Sequence, residues 1–140
     1  MDQKAASNKP NGKINNKLKV LIAEDMQVNM TLAKALVTKL YPNSKLFEAT
    51  NGEEAFQVYL KNKPDIILMD VRMPVYDGIY AVSKIRNHEK ISHVHTPIVA
   101  LSADATIEDR KKCEDVGMDV FLRKPFSKVE LKETIDNLLK

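Results

Sequence analysis

The stretch that most limits what this chain can fold into is Pro64-Asp65-Ile66-Ile67-Leu68-Met69-Asp70, with Val71-Arg72-Met73-Pro74 behind it. Its unbroken apolar run, bounded by prolines and ending on a carboxylate, has the length of a strand and falls short of a helix. A run with no polar alternation belongs to a strand covered on both faces, inside a parallel sheet. In open α/β sheets the carboxyl ends of such strands border the crevice where ligands bind. Asp70 is therefore expected at the bottom of a cleft, on a rigid strand, as a candidate phosphoryl acceptor.

The pattern repeats along the chain. Leu18-Lys19-Val20-Leu21-Ile22-Ala23 reads as a buried strand ending on Glu24-Asp25, and Ala33, Leu36, Val37 and Leu40 then recur at helical spacing until Pro42. Lys45 to Ala49 alternates and carries charge, as an edge strand does. Thr50-Asn51-Gly52-Glu53 offers a turn and cap before a helix on Ala55, Val58 and Tyr59. After Asp77-Gly78 a third stripe runs through Ile79, Val82 and Ile85, with a polar loop expected over 87–95. Thr96-Pro97-Ile98-Val99-Ala100-Leu101 gives a fourth strand ending on Ser102. A helix over 105–116 has a thin apolar face of Ile107, Cys113 and Val116, and Gly117 suits its end. Val120-Phe121-Leu122 leads to Lys124-Pro125. Ser127-Lys128-Val129-Glu130 has the form of a capping box opening a helix on Leu131, Ile135, Leu138 and Leu139. Five strands alternating with five helices imply a parallel sheet, right-handed crossovers and helices on both faces, a doubly wound α/β sandwich.

Composition narrows the function. A chain of 140 residues buries one core without disulfides, and the single Cys113 excludes an intramolecular bridge and fits a reducing compartment. No segment is apolar for long enough to span a bilayer and no apolar signal region opens the chain, so the expected address is the cytoplasm. The net charge of +3 sits wholly in residues 1–17, where Lys4, Lys9, Lys13 and Lys17 outnumber Asp2. The remainder is balanced and shows no basic bias toward nucleic acid. Residues 1–17 lack large apolar side chains in number and are expected to form a disordered tail or linker, leaving 18–140 as the domain.

Strands one, three, four and five end on Glu24-Asp25, Asp70, Ser102 and Lys124, all on one edge of a parallel sheet. Three close carboxylates repel and favour a cation between them. Hard oxygen donors suit Mg²⁺, while Lys124 and Ser102 are placed to hold phosphate oxygens. This is equipment for in-line phosphoryl transfer, with Asp70 as nucleophile forming an acyl phosphate.

Glu24-Asp25, Met69-Asp70-Val71-Arg72-Met73-Pro74 with Asp77-Gly78, Ala100-Leu101-Ser102-Ala103 and Lys124-Pro125-Phe126 together resemble the receiver domain of two-component response regulators. The resemblance covers residues 18–140. It implies a flavodoxin-like fold with strand order 2-1-3-4-5, and phosphorylation of Asp70 by a histidine kinase or a histidine phosphotransfer protein. It further implies Mg²⁺ held by Glu24, Asp25, Asp70 and the Arg72 backbone carbonyl, and phosphate held by Ser102, the Ala103 backbone and Lys124. The Lys124-Pro125 peptide is then expected to be cis, an option particular to proline. Ser102 and Phe121 match the family's switch pair, and Arg72 and Asp104 match positions that modulate phosphoryl lifetime. A downstream protein target is expected to read the surface of the fourth helix and fifth strand. Because the last helix closes the sequence, the chain is expected to be a stand-alone receiver or one detached from a hybrid sensor kinase. Glu24-Asp25-Met26-Gln27-Val28-Asn29 resembles the hybrid type, whereas Met1 favours an independent protein.

Other readings are weaker. An Asp-nucleophile phosphatase of the dehalogenase type needs a second Asp where this chain has Arg72, and a cap domain for which there is no room. A flavodoxin-like cofactor binder lacks a phosphate loop after strand one, where Glu24-Asp25 would repel a phosphate. His88, His93 and His95 share the polar loop without a partner cysteine and are not read as a metal site. Met26, Met30, Met69 and Met73 are read as packing residues, Cys113 as a small buried hydrophobe, and Asp109-Arg110-Lys111-Lys112 as a solvated helix face.

Overall fold

In the computed structural model, which describes residues 17–104 and 106–140, strands and helices alternate without exception. They are β1 (Lys19–Ala23), α1 (Gln27–Leu40), β2 (Lys45–Ala49), α2 (Gly52–Asn62), β3 (Ile66–Asp70), α3 (Gly78–Ser92), β4 (Ile98–Ser102), α4 (Ile107–Val116), β5 (Val120–Arg123) and α5 (Lys128–Leu138). The strands form one parallel sheet in the order β2-β1-β3-β4-β5. The tail expected over 1–17 falls outside the described residues except for Lys17. No helix among the described residues is long and apolar enough to cross a membrane.

The period-two geometry of a strand splits the core in two. Leu21, Ala23, Ile67, Met69, Ile98 and Ala100 face one layer, with Ala55 and Tyr59 of α2, Ala81, Val82 and Ile85 of α3 and Cys113 of α4. Their alternates Val20, Ile22, Ile66, Leu68, Val99 and Leu101 face Met30, Ala33 and Val37 of α1 and Leu131 and Ile135 of α5. This is why β1, β3 and β4 read as continuous apolar runs. They are buried on both sides, whereas β2 and β5 are the sheet edges and only partly covered.

Caps fix the helix starts. Asn51, Asp77, Thr106 and Ser127 each accept a backbone N–H from the residue three places on, and Ser127 with Glu130 closes a full capping box. Three expectations fail. The helix expected over 105–116 starts at Ile107, with Thr106 as its cap; Ala105 lies outside the described residues, and Ile107 points away from the core at 86% exposure. Met26 is likewise exposed, whereas Met30, Met69 and Met73 are buried. The polar loop expected over 87–95 is mostly helix, because α3 continues to Ser92 and ends on His93 in a left-handed conformation. Its polar last turns are held by tertiary contacts. Arg86 donates to the Gly117 and Thr96 carbonyls and pairs with Glu89 and Asp119, and Glu89 accepts the Thr96 N–H. His88 packs edge-on against Tyr59.

Candidate functional site

The carboxyl ends of β1, β3, β4 and β5 bring the polar strand-end residues together. The Glu24 N–H donates to the Ala49 carbonyl at 2.9 Å, which holds the chain to the sheet just beyond β1. Lys124 is tied in the same way, its N–H donating to the Ser102 carbonyl at 2.8 Å. The Lys124–Pro125 peptide is cis. Beyond β3 the chain turns through Val71 to Asp77, and the Gly78 N–H returns to the Val71 carbonyl at 3.0 Å. α3 therefore starts hard against the end of β3: a Cβ on Gly78 would lie 2.5 Å from the Asp70 carbonyl oxygen. Only glycine permits that approach.

Within the cleft, Glu24, Asp25 and Asp70 each offer a carboxylate oxygen, and the three atoms lie within 4.8 Å of one another. Glu24 and Asp70 are buried, and Asp25 is exposed. Lys124 Nζ stands 2.7 Å from Glu24 Oε1 and 3.6 Å from Asp70 Oδ1, so one ammonium balances two buried carboxylates. Glu24 Oε2 accepts the Met26 N–H at 3.2 Å, and Asp70 Oδ1 accepts the Arg72 N–H at 3.3 Å.

These contacts divide the charge unequally. Burial is the largest influence on Asp70 and pushes its carboxyl up to about 7; Lys124 opposes this, and neighbouring Glu24 adds to it. Burial also acts to raise Glu24, but its hydrogen bonds to Lys124, Met26 and Asp70 outweigh that and hold it below its usual value. Glu24 is thus the better-paired anion and Asp70 the poorly compensated one. An all-oxygen donor set with an exposed third carboxylate fits a hard divalent cation that keeps part of its water shell.

Around the rim, the Ser102 hydroxyl is buried and engaged by its own loop. It donates to the Asp104 carbonyl at 3.0 Å and accepts the Asp104 N–H at 3.1 Å. Arg72 extends across the gap between the loops after β3 and β4. Its Nε lies 3.1 Å from Asp104 Oδ2, and its Nη2 lies 2.7 Å from Asp109 Oδ2 on the first turn of α4. On β5 the half-buried Phe121 ring lies against the α2–α3–α4 core layer, with the Arg110 guanidinium of α4 over it at 4.9 Å from the ring centre.

A family profile described as the response regulator receiver domain matches residues 20–136. The chain belongs to that family. A receiver domain of a sensor histidine kinase from Pseudomonas aeruginosa PAO1, crystallised with magnesium coordinated in its active site cleft, is 33% identical with a TM-score of 0.79, covering 88% of this chain and 98% of that one. The chemotaxis protein CheY4 of Vibrio cholerae is 26% identical with a TM-score of 0.77, over 86% of this chain and 98% of that one. Hybrid signal transduction histidine kinase B of Dictyostelium discoideum is 39% identical over 117 residues, which cover 76% of this chain and 6% of the kinase. The chain thus spans a small part of the curated relatives it matches. It is a receiver domain of two-component signalling, with the flavodoxin-like fold.

In this receiver the residues singled out from sequence fall into three groups. Glu24, Asp25, Asp70 and Lys124 meet in the cleft. Ser102, Ala103, Arg72 and Asp104 lie on its rim, with the Ser102 hydroxyl engaged by Asp104. Phe121 stands away from the carboxylates, under α4. Two residues of the receiver escaped sequence reading. Asp109 and Arg110 read as solvated helix face, yet one pairs with Arg72 and the other covers Phe121. Asp109 had one local signal, its place three residues after the Thr106 cap; its partner 37 residues upstream had none. His95 contacts Asp119 and Glu89, and His88 packs on Tyr59, so these two histidines serve the far edge of the sheet.

Proposed function

We propose that this receiver stores a phosphoryl group on Asp70, taken from a phosphohistidine on a histidine kinase or histidine phosphotransfer protein. The observation that carries this reading is the uneven pairing in the cleft: Lys124 sits 2.7 Å from Glu24 but 3.6 Å from Asp70, leaving Asp70 the less compensated of the two buried carboxylates. A carboxylate oxygen of Asp70 attacks phosphorus in line. A P–O bond forms, the P–N bond breaks, and its electron pair returns to the donor imidazole. The carboxylates of Glu24, Asp25 and Asp70, with the Arg72 carbonyl, are the proposed holders of Mg²⁺, which when bound neutralises phosphoryl charge. Lys124, Ser102 and the Ala103 backbone hold the remaining phosphoryl oxygens. Ser102 and Phe121 form the switch, and a protein target reads the α4–β5 surface. The domain is proposed to span residues 18–140 after a linker, and to act in the cytoplasm as a signalling module whose only chemistry is its own phosphorylation and dephosphorylation.

A protein donor is supported by a groove of about 560 Å³ that opens from the cleft, lined by Glu24 and Lys124 together with Leu32, Leu36 and Phe126. Its apolar wall between α1 and the start of α5 suits a helix carrying the phosphohistidine to Asp70.

Incubating the chain with acetyl phosphate and Mg²⁺ tests the reading by intact mass. One phosphoryl increment is expected, removed by chelating the metal beforehand and absent in Asp70→Asn. An adduct that persists in Asp70→Asn, or none in the wild-type chain, overturns it.

A further inference from the structure

Arg72 has two acidic partners, and they are not equivalent. Asp104 is held through its backbone by the Ser102 hydroxyl, which both donates to its carbonyl and accepts its N–H. Its carboxylate is 58% exposed. If that hydroxyl donates instead to a phosphoryl oxygen, as the proposed function requires, one of the two ties to Asp104, the bond donated to its carbonyl, is given up. Asp109 depends on neither. It is built into the first turn of α4, where the Thr106 hydroxyl accepts its N–H at 3.1 Å, and its carboxylate is 12% exposed.

From this we infer that Asp109 is the positioning residue that keeps the Arg72 guanidinium across the cleft mouth while Asp70 is phosphorylated, and so sets the lifetime of the phosphoryl group. The inference rests on the reading of Asp70 as the phosphoryl-bearing residue and concerns the regulation of that site. Hydrolysis needs a water to attack phosphorus in line, with a P–O bond to water forming as the bond to Asp70 breaks. Inorganic phosphate then leaves, the Asp70 carboxylate is restored, and the water's proton passes to solvent. The donor and the water reach phosphorus from the same open side of the cleft. Arg72 is anchored beside Asp70 through its own N–H to Asp70 Oδ1, and its side chain bridges from the loop after β3 to the first turn of α4. A guanidinium fixed at both ends hinders the water, and one released from α4 swings into solvent.

A second consequence concerns α4. The bridge ties the loop after β3 to the first turn of the helix that carries Arg110 against Phe121.

The test charges each variant with acetyl phosphate and Mg²⁺, removes the donor, and follows decay of the adduct by intact mass. Asp109→Asn is expected to shorten the half-life by up to about fivefold, the upper end of what loss of one ion pair at a surface supports. Asp104→Asn should shorten it less, and Asp109→Glu should restore most of it. Arg72→Gln removes the bridge from its other end and should match Asp109→Asn, with no further change when the two are combined. A purely structural role would lower Tm without this non-additivity, so Tm is recorded for every variant. The inference is overturned if Asp109→Asn decays at the wild-type rate, or if its effect persists undiminished in the Arg72→Gln background. A wild-type chain that forms no adduct overturns the phosphoacceptor reading and this inference with it; a wild-type adduct insensitive to Asp109 overturns the inference alone.

Discussion

Asp70 occupies an awkward position. It lies at the end of a strand buried on both faces, and the nearest cation is committed more closely to Glu24. Burial first, and Glu24 second to the opposing Lys124, raise its carboxyl to about 7 in the metal-free protein, against about 3.9 in an unfolded chain. Between those values the folded state binds more protons than the unfolded state, so this group lowers stability as pH rises from about 4 to about 7. Asp70→Asn cannot ionise. In chelator-treated protein it is expected to exceed the wild type by roughly 1–2 kcal/mol at pH 7.5, a figure reduced for screening by the open cleft, and to converge with it near pH 4. Denaturant titrations of both proteins across that range check the sign. An unchanged or growing difference toward low pH would refute it.

At the scale of the element, the segment from β3 to α3 does the positioning. Gly78 opens α3 within van der Waals reach of the Asp70 carbonyl, so an added methyl must push the main chain at Asp70. Gly78→Ala is expected to cost about 1–3 kcal/mol by overpacking, and to slow adduct formation with acetyl phosphate even where the protein stays folded. Wild-type stability together with a wild-type rate would show that the contact gives way freely. Elements differ in how far sequence alone exposed them. The strands β1, β3 and β4 were legible because burial on both faces leaves an unbroken apolar run. The end of α3 was not, since Asn87 to Ser92 carries little apolar signal and is held by Arg86, Glu89 and Asp119 across separate parts of the chain. Ile107 misled for the opposite reason: its spacing fits an apolar face, but in the first turn of α4 it is exposed and joins neither core layer. The cleft residues were legible because each sits at a strand end, whereas the Arg72–Asp109 pair joins two loops whose proximity only the folded sheet creates.

Across the whole molecule, the sheet separates two core layers, and the cleft lies at one edge, where both can respond to it. Phe121 pairs with Ala100 across β4 and β5 and contacts the α2–α3–α4 layer, two residues along its strand from the β5 terminus. As the proposed switch residue, and lacking a hydroxyl, it would transmit a change only through packing, with Arg110 over its face as the partner to be displaced. Structures determined with and without a phosphate mimic such as beryllium fluoride are expected to show Phe121 in different rotamers, turned inward when the mimic is present. The same rotamer in both would defeat this route. In the clasp, Arg72 and Asp104 are exposed and Asp109 is largely covered, and none of the three belongs to either core layer. Its members stand apart from the core, while the carboxylates and lysine of the cleft stay fixed by the strands. On the proposed reading, duration is separable from chemistry in this architecture: substitutions at three positions outside the core would reset how long a signal lasts, with the cleft itself left unchanged.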